Sequence, residues 1–322
     1  MIRLILARLL QALAVLVFVA AITFVLIHLA PGDPFTAAVD NPALSQAVRD
    51  QWKTSYGLDK PLPVQFVKYV SSVSRGDFGW SFSKHLPVSE VIATALPWTL
   101  ALMGSALFLG FLLGALVGRI QAGRRGSLID RSISGVSLFF YSMPDFWLAL
   151  IVLMSLAYWN PVFPPGGAAD PLHDYFTPFA RWTDTLKHMV LPVATLTLVL
   201  AATVSRFHRS ALVETLPADF VRTARAKGLG ERTVLRRHAE RNALFPLISL
   251  VGLALPALFT GAVFVEKIFA WPGMGLVIVN AIGSRDYPLV MGTVIIASVL
   301  VALGNLITDL LYMAADPRVR LD

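Results

Sequence analysis

Apolar residues in this chain run in blocks longer than a soluble core requires, and polar residues gather between the blocks. Six of them approach or exceed membrane length: Leu9–Ala30, Leu96–Gly118, Ile133–Trp159, Met189–Val204, Leu244–Phe264 and Leu289–Met313. A hydrocarbon core about 30 Å thick needs around 20 mostly apolar residues per helix. The pattern therefore predicts an all-α polytopic membrane protein with six transmembrane helices, the fourth short and the third long. Arg3 and Arg8 precede the first block, as in a secretory signal. That block exceeds a signal's apolar region of about 7–15 residues. It is followed by Pro31-Gly32-Asp33-Pro34 rather than a small-residue cleavage site, so it reads as an uncleaved helix.

Six spans put both termini on one side, and the basic residues say which. That side carries 17 Lys and Arg, against 10 on the other, six of which fall in the long segment 31–95. Long segments cross largely regardless of charge, and cytoplasmic loops carry the excess of Lys and Arg. Both termini are expected in the cytoplasm.

The segment 31–95 is too long for a plain connection. Within Pro61–Ser74, Val64, Val67, Tyr69, Val70 and Val73 fall at near-helical spacing, which suggests a short helix lying on the outer surface. Arg75-Gly76-Asp77 spells an adhesion tripeptide but reads as a turn. The outer loop 160–187 is rich in Pro and Gly. It is expected to be an irregular cap, either touching a delivery protein or merely connecting two spans.

The cytoplasmic loop 205–243 carries nine Lys or Arg, with His208 and His238. Within it, Phe220-Val221-Arg222-Thr223-Ala224-Arg225-Ala226-Lys227-Gly228 reads as a short helix stopped by glycine. Phe220, Ala224 and Gly228 repeat every four residues, with Arg222, Arg225 and Lys227 on other faces. A basic loop of this kind is explained by anionic lipid headgroups alone. The small-residue stripe favours a second reading, close approach by another protein.

Composition narrows the function classes. Of 322 residues, 56% are hydrophobic and only 15% charged, where soluble domains carry about 25% charged residues. There is no cysteine, which removes thiolate metal sites and thiol nucleophiles. The sequence contains no phosphate-cradling G-x-x-x-x-G-K-[ST] and no H-E-x-x-H or G-x-S-x-G. Neither an enzyme nor a metal site is expected, and no cofactor bound by this chain. The net charge of +7 reflects loop topology rather than nucleic-acid binding.

Inside the apolar blocks, Asp145 directly follows Pro144. A carboxylate at that depth is expensive and faces protein or water. It either caps a half-helix or lines a pathway together with Tyr141 and Pro144. Asp309 pairs with a cytoplasmic arginine or meets water; Asn280 and Asn305 suit interhelical hydrogen bonds, and Gly252, Gly261 and Gly292 close packing. Glu266, at the outer end of the fifth block, reads as a solvated end rather than a gate. Trp147, Trp159, Trp182 and Trp271 fit interfacial anchoring or packing.

Six ordered blocks of residues resemble the inner-membrane permeases of peptide-type ABC importers, the dipeptide, oligopeptide, glutathione and nickel group. They are His28-Leu29-Ala30-Pro31-Gly32-Asp33-Pro34; Gly57-Leu58-Asp59-Lys60-Pro61-Leu62 with Arg75-Gly76-Asp77-Phe78-Gly79; Tyr141-Ser142-Met143-Pro144-Asp145-Phe146-Trp147-Leu148; Trp271-Pro272-Gly273-Met274-Gly275; Arg285-Asp286-Tyr287-Pro288; and Asp316-Pro317-Arg318-Val319-Arg320. The resemblance implies the type I ABC importer permease fold. It divides the chain into an N-terminal span (1–30), a periplasmic segment with short surface helices (31–95), a five-helix core (96–313) and a cytoplasmic tail (314–322). It also aligns residues 222–228 with the EAA motif that docks the ATPase, although the first two positions depart from Glu-Ala. The implied partners are a second homologous permease, two cytosolic P-loop ATPases that hold ATP and Mg, a periplasmic or lipid-anchored substrate-binding protein, and membrane lipid. The implied place is the bacterial inner membrane and the implied cargo peptides, with glutathione or chelated nickel as alternatives. An ion-coupled secondary transporter is the distant alternative; it would favour internally repeated halves.

Overall fold

The structure is a computed structural model that describes residues 2–29, 60–260 and 262–315. The sequence blocks at 30–59 and 316–322 and the expectation for Gly261 lie outside these residues. In chain order the main helices are α1 Ile2–Leu29, α2 Leu62–Ser74, α3 Val88–Gly123, α4 Leu128–Ser142, α5 Asp145–Leu153, α6 Pro178–Thr215, α7 Asp219–Ala226, α8 Phe245–Ala254, α9 Val263–Ile268, α10 Met274–Gly283 and α11 Tyr287–Ala315. Two-residue strands, β1 Trp80–Ser81 and β2 Leu86–Pro87, pair antiparallel before α3. Among the described residues, three helices are long and apolar enough to cross a membrane: α3, α6 and the Tyr287–Leu310 part of α11. The bent pair Leu128–Ser142 and Asp145–Trp159 makes a fourth if it is one span.

The chain forms two compact units, one within 1–97 and 273–303, the other within 98–272 and 304–322. In the first, Val88, Val91, Ile92 and Ala95 recur at helical spacing on α3 and bury against Met274, Val277 and Ala281 of α10 and Leu289 of α11. Such a stripe is what a helix presents to its neighbours. Gly292 permits the approach: a Cβ there would lie 2.4 Å from Val88 Cγ1. Helix α2 packs Phe66 and Tyr69 around Phe24 of α1 and Met291 of α11. The Arg75-Gly76-Asp77 tripeptide closes α2 as a turn, with Gly76 at φ +80°.

Asp286 ties this unit's hairpin to α11. It is only 1% exposed, and its carboxylate accepts from Ser81 Oγ (2.6 Å), Ser83 N (2.9 Å), Ser83 Oγ (2.7 Å) and Leu289 N (3.3 Å). A buried charge persists only when hydrogen-bonded or paired in this way.

In the second unit α3 packs on α6 along Gly110, Gly114 and Gly118. A Cβ at these positions would meet Leu200 Cδ2 at 2.7 Å, Val204 Cβ at 2.6 Å and the Ser205 carbonyl oxygen at 2.7 Å, respectively. Small residues every fourth position let helix backbones meet in a membrane, where no hydrophobic force drives them together. On its other side α6 meets α4, through Ser137–Ser205 (3.2 Å) and a two-point bond from Arg209 to Asp130 (2.7 and 2.8 Å).

The third apolar block is not one straight helix. Between Ser142 and Asp145 the axis turns by 101°. Pro144 has no N–H to continue the ladder, and Met143 before it takes the extended conformation (φ −88°, ψ 129°), as residues before proline do. The fifth block is likewise interrupted, into α8, Ala257–Thr260 and α9. Helix α6 extends well beyond the apolar block Met189–Val204 at both ends.

Glu266 departs from sequence expectation, and Trp271 takes the packing role of the two expected for it. Glu266 is not a solvated end: it is fully buried and accepts from Thr99 Oγ1 at 2.9 Å. Trp271 is fully buried and donates from Nε1 to the Trp98 carbonyl at 2.9 Å. Trp147, Trp159 and Trp182 are exposed. The loop after Trp159 is irregular, and Asp184 of α6 fastens it, accepting from Asp170 N at 2.9 Å and contacting His173 Nδ1 at 2.7 Å.

Candidate functional site

Helix α6 ends at Thr215, and after a short turn the chain forms α7. Asp219 in the first turn complements the helix dipole, as does Arg225 in the last. The helix stops because Gly228 takes φ +78°, a conformation glycine adopts without steric cost.

One face of α7 belongs to the protein's own core. Val221 (0% exposed) and Ala224 (3%) bury with Leu212 of α6, Ala122 of α3, and Val234, Ala239 and Ala243 of the following helical turns. The opposite face is open: Arg222, Thr223, Arg225, Ala226 and Lys227 are exposed, and Phe220 is 44% exposed. The structure thus divides the stripe Phe220–Ala224–Gly228. Ala224 faces inward, while Phe220 and Gly228 are outside. Burial follows Val221 and Ala224, three apart, with the small residue serving internal packing.

Hydrogen bonds set the shape of the open face. Arg222 reaches Asp219 at 3.3 Å, Thr223 Oγ1 donates to the Asp219 carbonyl at 2.9 Å, and Arg225 binds Glu231 at 2.6 Å. The Arg225 guanidinium, hydrogen-bonded to Glu231, holds that carboxyl below its usual range. Beyond Glu231 the chain runs through the wide helical turn Val234–Ala239 and Glu240–Ala243. Glu240 pairs with Arg119 of α3 at 3.1 Å and stands 3.9 Å from the buried His208 of α6. Packing and charge together fix α7 to the ends of α3 and α6.

The candidate pathway residues do not share one site. Tyr141 lies under the Arg206 guanidinium, 4.3 Å from ring centroid, a cation–π arrangement. Both line a cavity of 560 Å3 between α4 and α6. Pro144 lines a separate recess with Phe139, Met143 and Trp147. Asp145 is the first residue of α5, after the cap position Pro144, and its Oδ1 accepts from the adjacent Phe146 N at 2.8 Å.

Sequence reading passes over the Gly110–Gly114–Gly118 seam, whose four-residue spacing is visible in the chain. It also passes over the Arg119–Glu240 pair, whose partners are 121 residues apart and which no local pattern announces.

Comparison with known proteins agrees with this architecture. Residues 106–321 match the family described as binding-protein-dependent transport system inner membrane component, and residues 1–103 match its N-terminal companion. The chain is 40% identical over 316 residues to the oligopeptide transport system permease protein AppB of Bacillus subtilis, covering 98% of each chain. It is 34% identical to the dipeptide transport system permease protein DppB of Escherichia coli, covering 99% of each. Among solved structures it resembles a chain of the inward-facing MetNI methionine ABC transporter, with TM-score 0.55 and 20% identity over 70% of this chain and 96% of that one; this likeness bears on the fold. The chain is a multi-pass membrane protein and belongs to the family of inner membrane components of binding-protein-dependent transport systems.

Proposed function

We propose that this chain is one of two homologous permease subunits of an ATP-driven peptide importer in the bacterial inner membrane, and that α7 couples it to a cytosolic ATPase. The observation that carries the reading is the two-sidedness of α7. Val221 and Ala224 root the helix in its own subunit, while Phe220, Arg222, Thr223, Arg225, Ala226 and Lys227 are left open before the Gly228 stop. A short helix rooted in this way transmits a push or pull as a rigid body. The Arg119–Glu240 pair and the glycine seam carry that motion into α3 and α6.

In this reading six helices cross the membrane, both termini are cytoplasmic, 31–95 is periplasmic and 96–313 forms the core. The chain performs no catalysis; two P-loop ATPase subunits hold ATP and Mg2+ and hydrolyse the nucleotide. A substrate-binding protein delivers the cargo. Peptides are supported as cargo by full-length similarity to relatives named for oligopeptides and dipeptides. Tyr141, Pro144 and Asp145, at or beside the bend, are the proposed pathway contacts.

The test is reconstitution. Affinity purification of this chain from its host should bring along a sibling permease and two ATPases. In vesicles the assembly with its binding protein should accumulate labelled peptide only with ATP. Uptake that persists without ATP under an imposed ion gradient would overturn the reading.

A further inference from the structure

A cavity of 410 Å3 opens at the end of α3, lined by Arg119, Arg124, Arg232, Arg236, Ile120 and Leu235, with Gly123 at its edge. Four arginines line it from two separate stretches of chain. Arg119 alone has a carboxylate, Glu240. Among the described residues no acidic side chain pairs with Arg124, Arg232 or Arg236. Like charges gathered around one cavity repel unless an anion joins them. Guanidinium is the side chain whose fork matches phosphate oxygens.

The remaining lining says which anion. Ile120 is 47% exposed and, with Leu235, gives the cavity an aliphatic wall. This wall continues the apolar surface of α3, whose Leu112, Leu113 and Leu116 are exposed. Arginines beside an aliphatic wall at the end of a membrane-spanning helix fit an amphiphile better than a wholly polar ion. We infer that this cavity binds the phosphodiester headgroup of an anionic phospholipid, with Ile120 and Leu235 against its glycerol and upper acyl carbons. The lipid would bridge α3 to the helical turns that support α7 through the arginines, beside the apolar cluster that already joins Ala122 to Val234. General attraction of a basic loop to a charged membrane differs from this, because it depends on total charge and not on which arginines are present.

The experiment uses the full assembly in neutral detergent, titrated with phosphatidylglycerol or phosphatidylcholine, with bound lipid read by native mass spectrometry. One variant carries Arg232→Gln and Arg236→Gln. A charge-matched variant carries Arg237→Gln and Arg241→Gln, exposed on the same stretch but outside the cavity. With each charge-assisted hydrogen bond worth roughly tenfold or more in binding, the cavity variant should bind phosphatidylglycerol on the order of 100-fold more weakly, with the charge-matched variant near wild type. Arg232→Lys with Arg236→Lys keeps the charge and should recover part of the binding if the glutamine pair fails to assemble. Equal loss in the cavity and charge-matched variants would overturn the inference in favour of diffuse attraction. Displacement of the lipid by inorganic phosphate at equal concentration would overturn the lipid assignment in favour of a soluble anion. Lipid bound by the lone subunit but not by the assembly would show that partner carboxylates cover the cavity, which also overturns it.

Discussion

Gly114 offers the sharpest test of how α3 and α6 hold together. Its replacement by alanine places a Cβ 2.6 Å from Val204 Cβ, 2.8 Å from Val204 Cγ1 and 2.9 Å from the Ala201 carbonyl oxygen. Carbon atoms prefer about 3.5–4.0 Å, so the helices must part locally by roughly 1 Å. Nothing nearby swings aside: Val204 is fully buried and β-branched, hence stiff at χ1, and the third contact is backbone. Overpacking of this kind costs about 1–3 kcal/mol. Opposing it is alanine's better helix propensity, worth up to about 1 kcal/mol. Gly135→Ala separates the two effects, because Gly135 lies within α4 and a Cβ added there would have no neighbour within 4 Å. The difference between the variants isolates the steric term. The assay is the heating midpoint of the detergent-purified protein, followed by size-exclusion chromatography. Gly114→Ala should melt below wild type and Gly135→Ala at or above it. A Gly114→Ala midpoint equal to that of Gly135→Ala would refute the seam.

Three further outcomes follow from the packing and hydrogen bonds. Val221→Ala removes two buried methyl groups, a loss of roughly 1.5–2 kcal/mol before any cavity term, and should speed trypsin cleavage at Arg222 and Arg225 several-fold; unchanged cleavage would mean that α7 is not rooted through Val221. Gly228→Ala forces a side chain into positive φ at about 1–2 kcal/mol and should raise hydrogen exchange over 226–231 with little change elsewhere. Asp286→Ala orphans the buried Ser81 hydroxyl and frees the Ser83 donors, where hydrogen bonds to a charged group are each worth about 1.5–3 kcal/mol; the hairpin 80–87 should become protease-sensitive and the yield from membranes fall, with Asp286→Asn intermediate.

The helical membrane architecture is legible in the sequence because apolar blocks of membrane length have few other uses. The short helix at 219–226 is legible too, since helical spacing and a terminal glycine are local signals. Its inward face is not: whether Ala224 meets solvent or Leu212 depends on how α7 folds back on α6, which spacing alone leaves open. The bend at Pro144 is visible as a proline and an aspartate, but its 101° angle is set by the packing of α5 on α6 and α9. Glu266 defeats sequence reading because an acidic residue at the end of an apolar block usually meets water, and its buried partner Thr99 sits 167 residues away. Arg119, Arg124, Arg232 and Arg236 all enter the topology count as scattered loop charges. That all four line one cavity emerges only when the chain is folded.

The central claim is that an ATPase grips the open face of α7. The chain has no cysteine, so a single thiol introduced into it is unambiguous. In the purified assembly Phe220→Cys should crosslink to an ATPase subunit with a short bifunctional reagent, with a yield that changes between ATP-bound and nucleotide-free states. Val221→Cys, buried in the subunit's own core, should not react. A thiol at 220 that labels only from the periplasmic side, or that meets nothing but lipid while the assembly hydrolyses ATP and imports peptide, would contradict the account.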